Sequence, residues 1–189
     1  VGDMAIKLHY IALVVVFLMV IQGFGLYMLN RNFTCPCGIA LWNGTSHPIE
    51  DSQQIFDWYS LVHVSYGIVA YFLARLVHKK VRWPMVLFFA LIILVSVGWE
   101  LYENTDYFIT TYGHEVPEAT YYGDSIVNSL SDTFTVAVGF TLALLFPWWL
   151  AVAIALAIEI LVHWKINDGV IISTMLFFRP IASLIDWRN

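Results

Sequence analysis

The chain has 189 residues, of which 60% are hydrophobic and only 12% charged, and its formal net charge is −5. A soluble domain carries about 25% charged and about 45–50% apolar residues, so the apolar excess calls for lipid as the surrounding medium, at a mean hydropathy of +0.73. The acidic balance excludes a nucleic-acid partner, which requires a basic face.

In chain order, Val1-Gly2-Asp3-Met4 reads as a partial start. Lys7 precedes the apolar run Leu8–Leu29, which is too long for a signal-peptide core and is followed by no small-residue cleavage site. It reads as a first membrane helix and not as a cleaved leader. A hydrocarbon layer of roughly 30 Å takes about 20 apolar residues in a helix. Four more segments meet that length: Trp58–Val77, Met85–Glu103, Ile126–Phe146 and Trp148–Ile166. Pro84 and Pro147 fall at helix boundaries, where a missing N–H costs least. The short turn at Pro147-Trp148-Trp149 makes the last two spans antiparallel neighbours. Val170–Trp187 is apolar but interrupted by Arg179-Pro180 and closed by Asp186-Trp187-Arg188. A charge at mid-membrane is costly, so this segment reads as an interfacial or re-entrant helix in preference to a sixth span. The expected fold is all-α: a polytopic integral membrane bundle of about five transmembrane helices, forming a single domain over 1–189. Eight Trp and ten Tyr suit aromatic belts at the lipid interfaces.

Orientation follows from Lys and Arg in short loops. Arg75, His78, Lys79, Lys80 and Arg82 cluster between the second and third spans, which makes that loop cytoplasmic. The loop 105–122 has no Lys or Arg and carries Asp106, Glu115 and Glu118, which places it outside. Alternation then puts the N-terminus in the cytoplasm and the loop 30–56 outside.

The polar residues within the spans are concentrated toward the outer side. The second span begins at Asp57 and carries His63; the third ends with Glu100, Glu103 and Asn104; the fourth starts at Asp124 and carries Asn128 and Asp132. Asp124, Asn128 and Asp132 follow an i, i+4, i+8 spacing, and Glu100, Glu103 and Asn104 share a face. Facing lipid, such stripes would be costly, so they are expected to face one another inside the bundle. Carboxylates alone repel, and no Lys or Arg in these stretches offsets them. A divalent metal held by His63 with Glu100, Glu103, Asp124, Asn128 and Asp132 would relieve the repulsion. The same acids and His63 are the candidates for acid–base catalysis. The alternative is a self-satisfied hydrogen-bond network that fixes helix packing. Glu159 either joins this cluster or pairs with His163 at i+4.

Cys35-Pro36-Cys37 lies in the loop 30–56. The pair either oxidises to a small disulfide or, as the weaker reading, holds a metal with His47. Asn32-Phe33-Thr34 and Asn43-Gly44-Thr45 match the glycosylation sequon, which matters only in a eukaryotic secretory setting.

Taken together, Cys37-Gly38, Leu41-Trp42, Glu50-Asp51-Ser52-Gln53-Gln54, Asp57-Trp58-Tyr59-Ser60, His63, Gly67, Trp99-Glu100, Glu103-Asn104, Tyr121-Tyr122-Gly123-Asp124-Ser125, Asn128-Ser129, Ser131-Asp132 and Pro147-Trp148-Trp149 form a combined pattern. It resembles an uncharacterised bacterial inner-membrane family, domain-of-unknown-function 2585, from about Cys35 to Trp187. More distantly, the layout is similar to the VanZ-like superfamily, in which an Asp/His helix precedes a Glu helix and then an Asp/Asn helix. Those roles would fall on Asp57, His63, Glu100 or Glu103, Asp124, Asn128 and Asp132. The resemblance implies a bacterial inner (plasma) membrane location but names no reaction.

Two functional readings stand nearly level. One is an accessory subunit that packs against a larger membrane complex. The other is a membrane-embedded metal-dependent enzyme acting on lipid or envelope-precursor head groups. A proton or ion conduit is disfavoured, because Ile68–Leu73, Met85–Val95 and Val136–Leu145 carry no Asp, Glu, His, Lys or Arg. Membrane lipids are the implied surroundings in every case, and other membrane subunits are the implied partners in the first.

Overall fold

In a computed structural model, the description covers the backbone of residues 2–44, 52–112, 121–179, 181 and 183, and the side chains of 12–44, 52–111, 121–179, 181 and 183. Among the described residues seven helices follow in order: α1 (Gly2–Met28), α2 (Trp58–Val81), α3 (Met85–Glu103), α4 (Asp106–Tyr112), α5 (Ile126–Leu145), α6 (Trp148–Ile166) and α7 (Val170–Phe178). Among the described residues the only extended pairing is an isolated bridge between Trp42 and Phe56. Helices α2, α3, α5 and α6 are long and apolar enough to cross a membrane, and Ala12–Met28 of α1 adds a shorter apolar helix. The protein is therefore an all-α membrane helical bundle.

The expected spans Met85–Glu103 and Trp148–Ile166 coincide with α3 and α6. Helix α2 continues one turn past its apolar run to Val81. His78, Lys79 and Lys80 suit the negative end of the helix dipole there, and Arg82, with φ 55, closes the helix by donating its N–H to the His78 carbonyl. Helix α4 occupies a stretch expected to be loop. The Thr105 hydroxyl accepts from the Phe108 N–H at 3.2 Å and starts it as an N-cap would. His114, Glu115 and Glu118 of the acidic loop lie outside the described residues, as does His47. Helix α7 has nine residues. That gives roughly 14 Å at about 1.5 Å per residue, less than half of a hydrocarbon layer. Most of the remaining stretch to Trp187 lies outside the described residues.

Lipid gives apolar helices no hydrophobic reason to pair, so association rests on close packing and interhelical hydrogen bonds. Helix α2 is central, packing most extensively on α5 and also on α6, while α1 packs on α3 and α5. Two glycines set the α2–α5 crossing. A Cβ on Gly67 would run into the Val136 carbonyl, and one on Gly139 into the Val64 carbonyl. Beyond the crossing lies an apolar core of Val64, Ile68, Tyr71 and Ala74 with Phe88, Phe140, Ala143 and Ala151. Tyr71 meets Phe140 edge-on, with centroids 5.3 Å apart. Large apolar side chains such as Val95, Leu145, Ile160 and Trp164 point outward, where lipid would meet them. The polar residues gather at the opposite end of the crossing.

Candidate functional site

Helix α2 starts from a capping box. One Asp57 oxygen accepts from the Tyr59 and Ser60 amides at 2.9 and 3.1 Å, and the Ser60 hydroxyl accepts from the Asp57 amide at 3.2 Å. The other Asp57 oxygen accepts from the Ser52 amide and from Asn128 Nδ2 at 3.2 and 3.1 Å. The Ser60 hydroxyl donates in turn to Asp132 Oδ1 at 2.9 Å, tying α2 to α5. Burial raises the Asp57 carboxyl above its ordinary range, against the hydrogen bonds that favour its anion.

One turn further, His63 Nδ1 lies 3.0 Å from the Tyr59 carbonyl oxygen. A carbonyl can only accept, so Nδ1 carries the proton, and in the neutral ring the lone pair stands at Nε2. That nitrogen lies 3.4 Å from Glu100 Oε1, and Nδ1 lies 3.6 Å from Asp132 Oδ1. The Nε2–Oε1 gap is too long for a good hydrogen bond. Glu100 Oε1 is fully buried and has no hydrogen-bond partner among the described residues. Its other oxygen accepts from the Ser129 hydroxyl at 2.7 Å. Behind Ser129 stands Gln22 of α1, completely buried, whose amide donates to the Ser129 carbonyl and hydroxyl at 2.9 Å each and accepts from Thr133 at 2.9 Å.

At the mouth of the cluster, Asn104 and Asp124 bond reciprocally. Asn104 Nδ2 donates to Asp124 Oδ2 at 2.6 Å, and the Asp124 amide donates to Asn104 Oδ1 at 2.7 Å. The Tyr121 hydroxyl donates to Asp124 Oδ1 at 3.0 Å. Burial pushes the Asp124 carboxyl up to about 6, and burial and then the Asp124 charge raise the Tyr121 phenol. Gly123, at φ +94, leaves room for Arg31, which donates to the Tyr122 carbonyl at 2.5 Å and to Asp106 at 3.0 Å. The amides at the start of α5 are engaged by the loop beneath and by the helix's own N-cap. Ser125 N–H bonds the Ser52 carbonyl, Ile126 the Asn32 carbonyl, Val127 the Phe33 carbonyl, and Asn128 the Ser125 hydroxyl.

Two sets of side chains thus converge. His63, Glu100 and Asp132 bring one donor atom each within 4.8 Å of one another, and so do Glu100, Glu103 and Asp124. Helices α3 and α5 contain no Lys or Arg, and those of α2 sit in its last two turns at Arg75, Lys79 and Lys80. Asn128 adjoins the cluster through Asp57, and its own Oδ1 is buried without a hydrogen-bond partner among the described residues. Asp124 precedes α5, with Ser125 as the N-cap, so the polar stripe begins one step before the helix.

Other candidates lie apart. Glu159 is not among the converging acids: it caps α7, accepting from the Val170 and Ile171 amides at 2.9 and 3.1 Å. Cys35 and Cys37 form a disulfide, which removes the thiolates that the weaker, metal-binding reading needs. Gln54 clasps that loop. Its Nε2 donates to Cys37 Sγ at 3.3 Å and to the Gly38 carbonyl at 3.2 Å, and its Oε1 accepts from the Ala40 amide at 2.6 Å. The Gln54 carbonyl accepts from Asn128 at 2.8 Å, which joins the disulfide loop to the cluster. Gln22 and Asp168 are missed by sequence reasoning. Asp168 is fully buried beneath Tyr59, whose hydroxyl donates to it at 3.1 Å. An aspartate just after a span reads as loop, and a neutral amide in an apolar run carries no charge to draw attention.

Residues 26–189 match the family model described as a protein of unknown function, DUF2585. A UPF0314 protein of Paracoccus denitrificans is 35% identical over 170 residues, 89% of this chain and 87% of that protein. Another from Brucella anthropi is 35% identical over 179 residues, 94% and 90% of the two chains. A third, from Sphingopyxis alaskensis, is 33% identical over 165 residues, 86% of each. No solved structure matches the chain. The family match spans Asp57, His63, Glu100, Asp124 and Asp132 and leaves only Gln22 of the network outside it. With all but the first helix inside that match, the chain belongs to the DUF2585 family.

Proposed function

We propose that this is an inner-membrane protein with a divalent-metal centre at the outer side of the membrane, acting on lipid or envelope-precursor head groups. The observation that carries the reading is the pair His63 Nε2 and Glu100 Oε1, 3.4 Å apart, the oxygen buried without a hydrogen-bond partner. Two ligands about 2.0–2.1 Å from a tetrahedral zinc lie roughly 3.3–3.4 Å from each other. A cation between them would satisfy both lone pairs, with Asp132 as a third ligand. The bond from His63 Nδ1 to the Tyr59 carbonyl is the outer-shell contact that fixes a ligating imidazole. One nitrogen among carboxylates suits Zn²⁺, Mn²⁺ or Fe²⁺. His63 and Glu103 are only partly buried, so a head group could reach the metal from the helix ends. A metal there would polarise a phosphoryl or carbonyl oxygen and lower the pKa of a bound water. The basic loop at Lys79 and Lys80 supports a cytoplasmic N-terminus, with residues 30–56 and 105–122 outside.

The test is elemental analysis of the purified protein beside His63→Ala, Glu100→Gln and, as a control away from the cluster, Gly98→Ala. One equivalent of metal in the wild type and Gly98→Ala, lost in the other two, is expected. A metal-free wild type that also takes up no Zn²⁺ or Mn²⁺ on titration would refute the centre. The cluster would then be a packing network, as an accessory subunit of a larger complex would need.

A further inference from the structure

We propose that Cys35–Cys37 is an exchange-active disulfide, reduced by a dithiol through attack on the Cys37 sulfur. This chemistry is independent of the metal centre. A cross-link stabilises a fold mainly by closing a long loop in the unfolded chain. Here the two cysteines are two positions apart, so the bond does little as a staple. The surroundings instead suit thiol exchange. Cys37 is exposed, and beside it Gly38, at φ +104, has no atom of the described residues within 4 Å of where a Cβ would stand, so among them an incoming thiolate has a clear approach. Cys35 is buried, at 5% exposure. The two sulfurs therefore have distinct roles, one to be attacked and one to leave. Each also has a hydrogen-bond donor in place for the anion it would become. The Cys37 amide lies 3.1 Å from Cys35 Sγ, and Gln54 Nε2 lies 3.3 Å from Cys37 Sγ.

The steps balance. One thiolate of the dithiol attacks Cys37 Sγ, a mixed disulfide forms, and Cys35 leaves as a thiolate held by the Cys37 amide. The second thiolate of the dithiol then attacks its own partner sulfur, and Cys37 leaves as a thiolate facing Gln54. The dithiol is oxidised to a disulfide, Cys35 and Cys37 are reduced, and the two protons of the dithiol end on the two cysteines or in solvent.

The chain has only two cysteines, so labelling reads their state directly. The full-length protein in detergent is treated with dithiothreitol, with tryptophan fluorescence following the fold, and is quenched with a high-mass maleimide. Complete reduction of the folded protein is expected. The thiol left in Cys35→Ser is expected to react with an aromatic disulfide reagent about tenfold or more faster than that left in Cys37→Ser. In the Cys35→Ser background, adding Gln54→Leu is expected to move the pH midpoint of alkylation upward, because the thiolate loses its donor. Reduction only at denaturant concentrations that unfold the bundle would overturn the proposal, as would equal reactivity of the two thiols or an unmoved midpoint. If a single-cysteine variant fails to fold, the reduction of wild type under folded conditions decides alone.

Discussion

Gly67→Ala tests whether close backbone approach holds the bundle together. Gly67 lies in the middle of α2, and an added Cβ meets the Val136 carbonyl and, at 2.8 Å, the Phe140 amide nitrogen. These are backbone atoms of α5, so relief requires the helices to separate. Overpacking of this kind costs about 1–3 kcal/mol and occasionally more. Alanine recovers about 0.8–1.0 kcal/mol of helix propensity, so we expect a net loss of about 1–2 kcal/mol, the upper part of the difference because backbone cannot rotate away. For a chain of this length that is a fall in Tm of about 2–8 °C. Separation would also lengthen the Ser60–Asp132 bond, now 2.9 Å, one turn from the crossing. Gly139→Ala pushes the same two helices apart from the other side, so the double variant should cost less than the sum of the singles. Gly98→Ala, with nothing within 4 Å of the new methyl, should be neutral or slightly stabilising. Thermal unfolding of the four variants in one detergent gives the comparison. A neutral Gly67→Ala, or strictly additive glycine variants, would refute the crossing as drawn.

Four further outcomes are expected. Burial lifts Asp124 from 3.8 to about 6, so between those values the unfolded chain gives up its proton first. Stability of the metal-free protein should therefore fall as pH rises from about 4 to about 6, by up to about 3 kcal/mol from this group; Asp124→Asn should flatten that slope in thermal scans. Gln22→Leu removes the partner of Ser129 and Thr133 and should cost about 1–3 kcal/mol by the same scans; a neutral result would mean those hydroxyls find other partners. Asp106→Asn should be indistinguishable from wild type, since its carboxylate is 91% exposed. Arg31→Ala should be measurably less stable, because Arg31 also holds the Tyr122 and Leu29 carbonyls.

The spans were legible because length and hydropathy decide them in lipid, and α3 and α6 match their expected bounds. Convergence of His63, Glu100 and Asp132 at one depth followed from counting residues along antiparallel helices. The short helix α4 was not legible, because seven residues in a polar stretch carry no spanning signal; its one local cue is Thr105 ahead of Asp106. Gln22 escaped for a different reason. Its partner Ser129 is 107 positions away, and nothing local to α1 marks the amide as part of the cluster. The fate of Glu159 was equally hidden, since its partners are backbone amides that exist as a capping site only once α7 has formed.

The long reach of these bonds bears on how the chain is made. Ser60 and Asp132 are 72 positions apart. At about 5–20 residues per second, synthesis needs on the order of 4–14 s to pass from one to the other. Through that interval the polar faces of α2 and α3 have no α5 to meet, and the loop that holds Asn32, Phe33 and Ser52 has no helix end to cap. Helix α5 is thus the piece that completes the polar network. Lesions at Ser129 or Asp132 should show as chains held by the insertion machinery or cleared by membrane proteases, before they show as faults in a finished bundle.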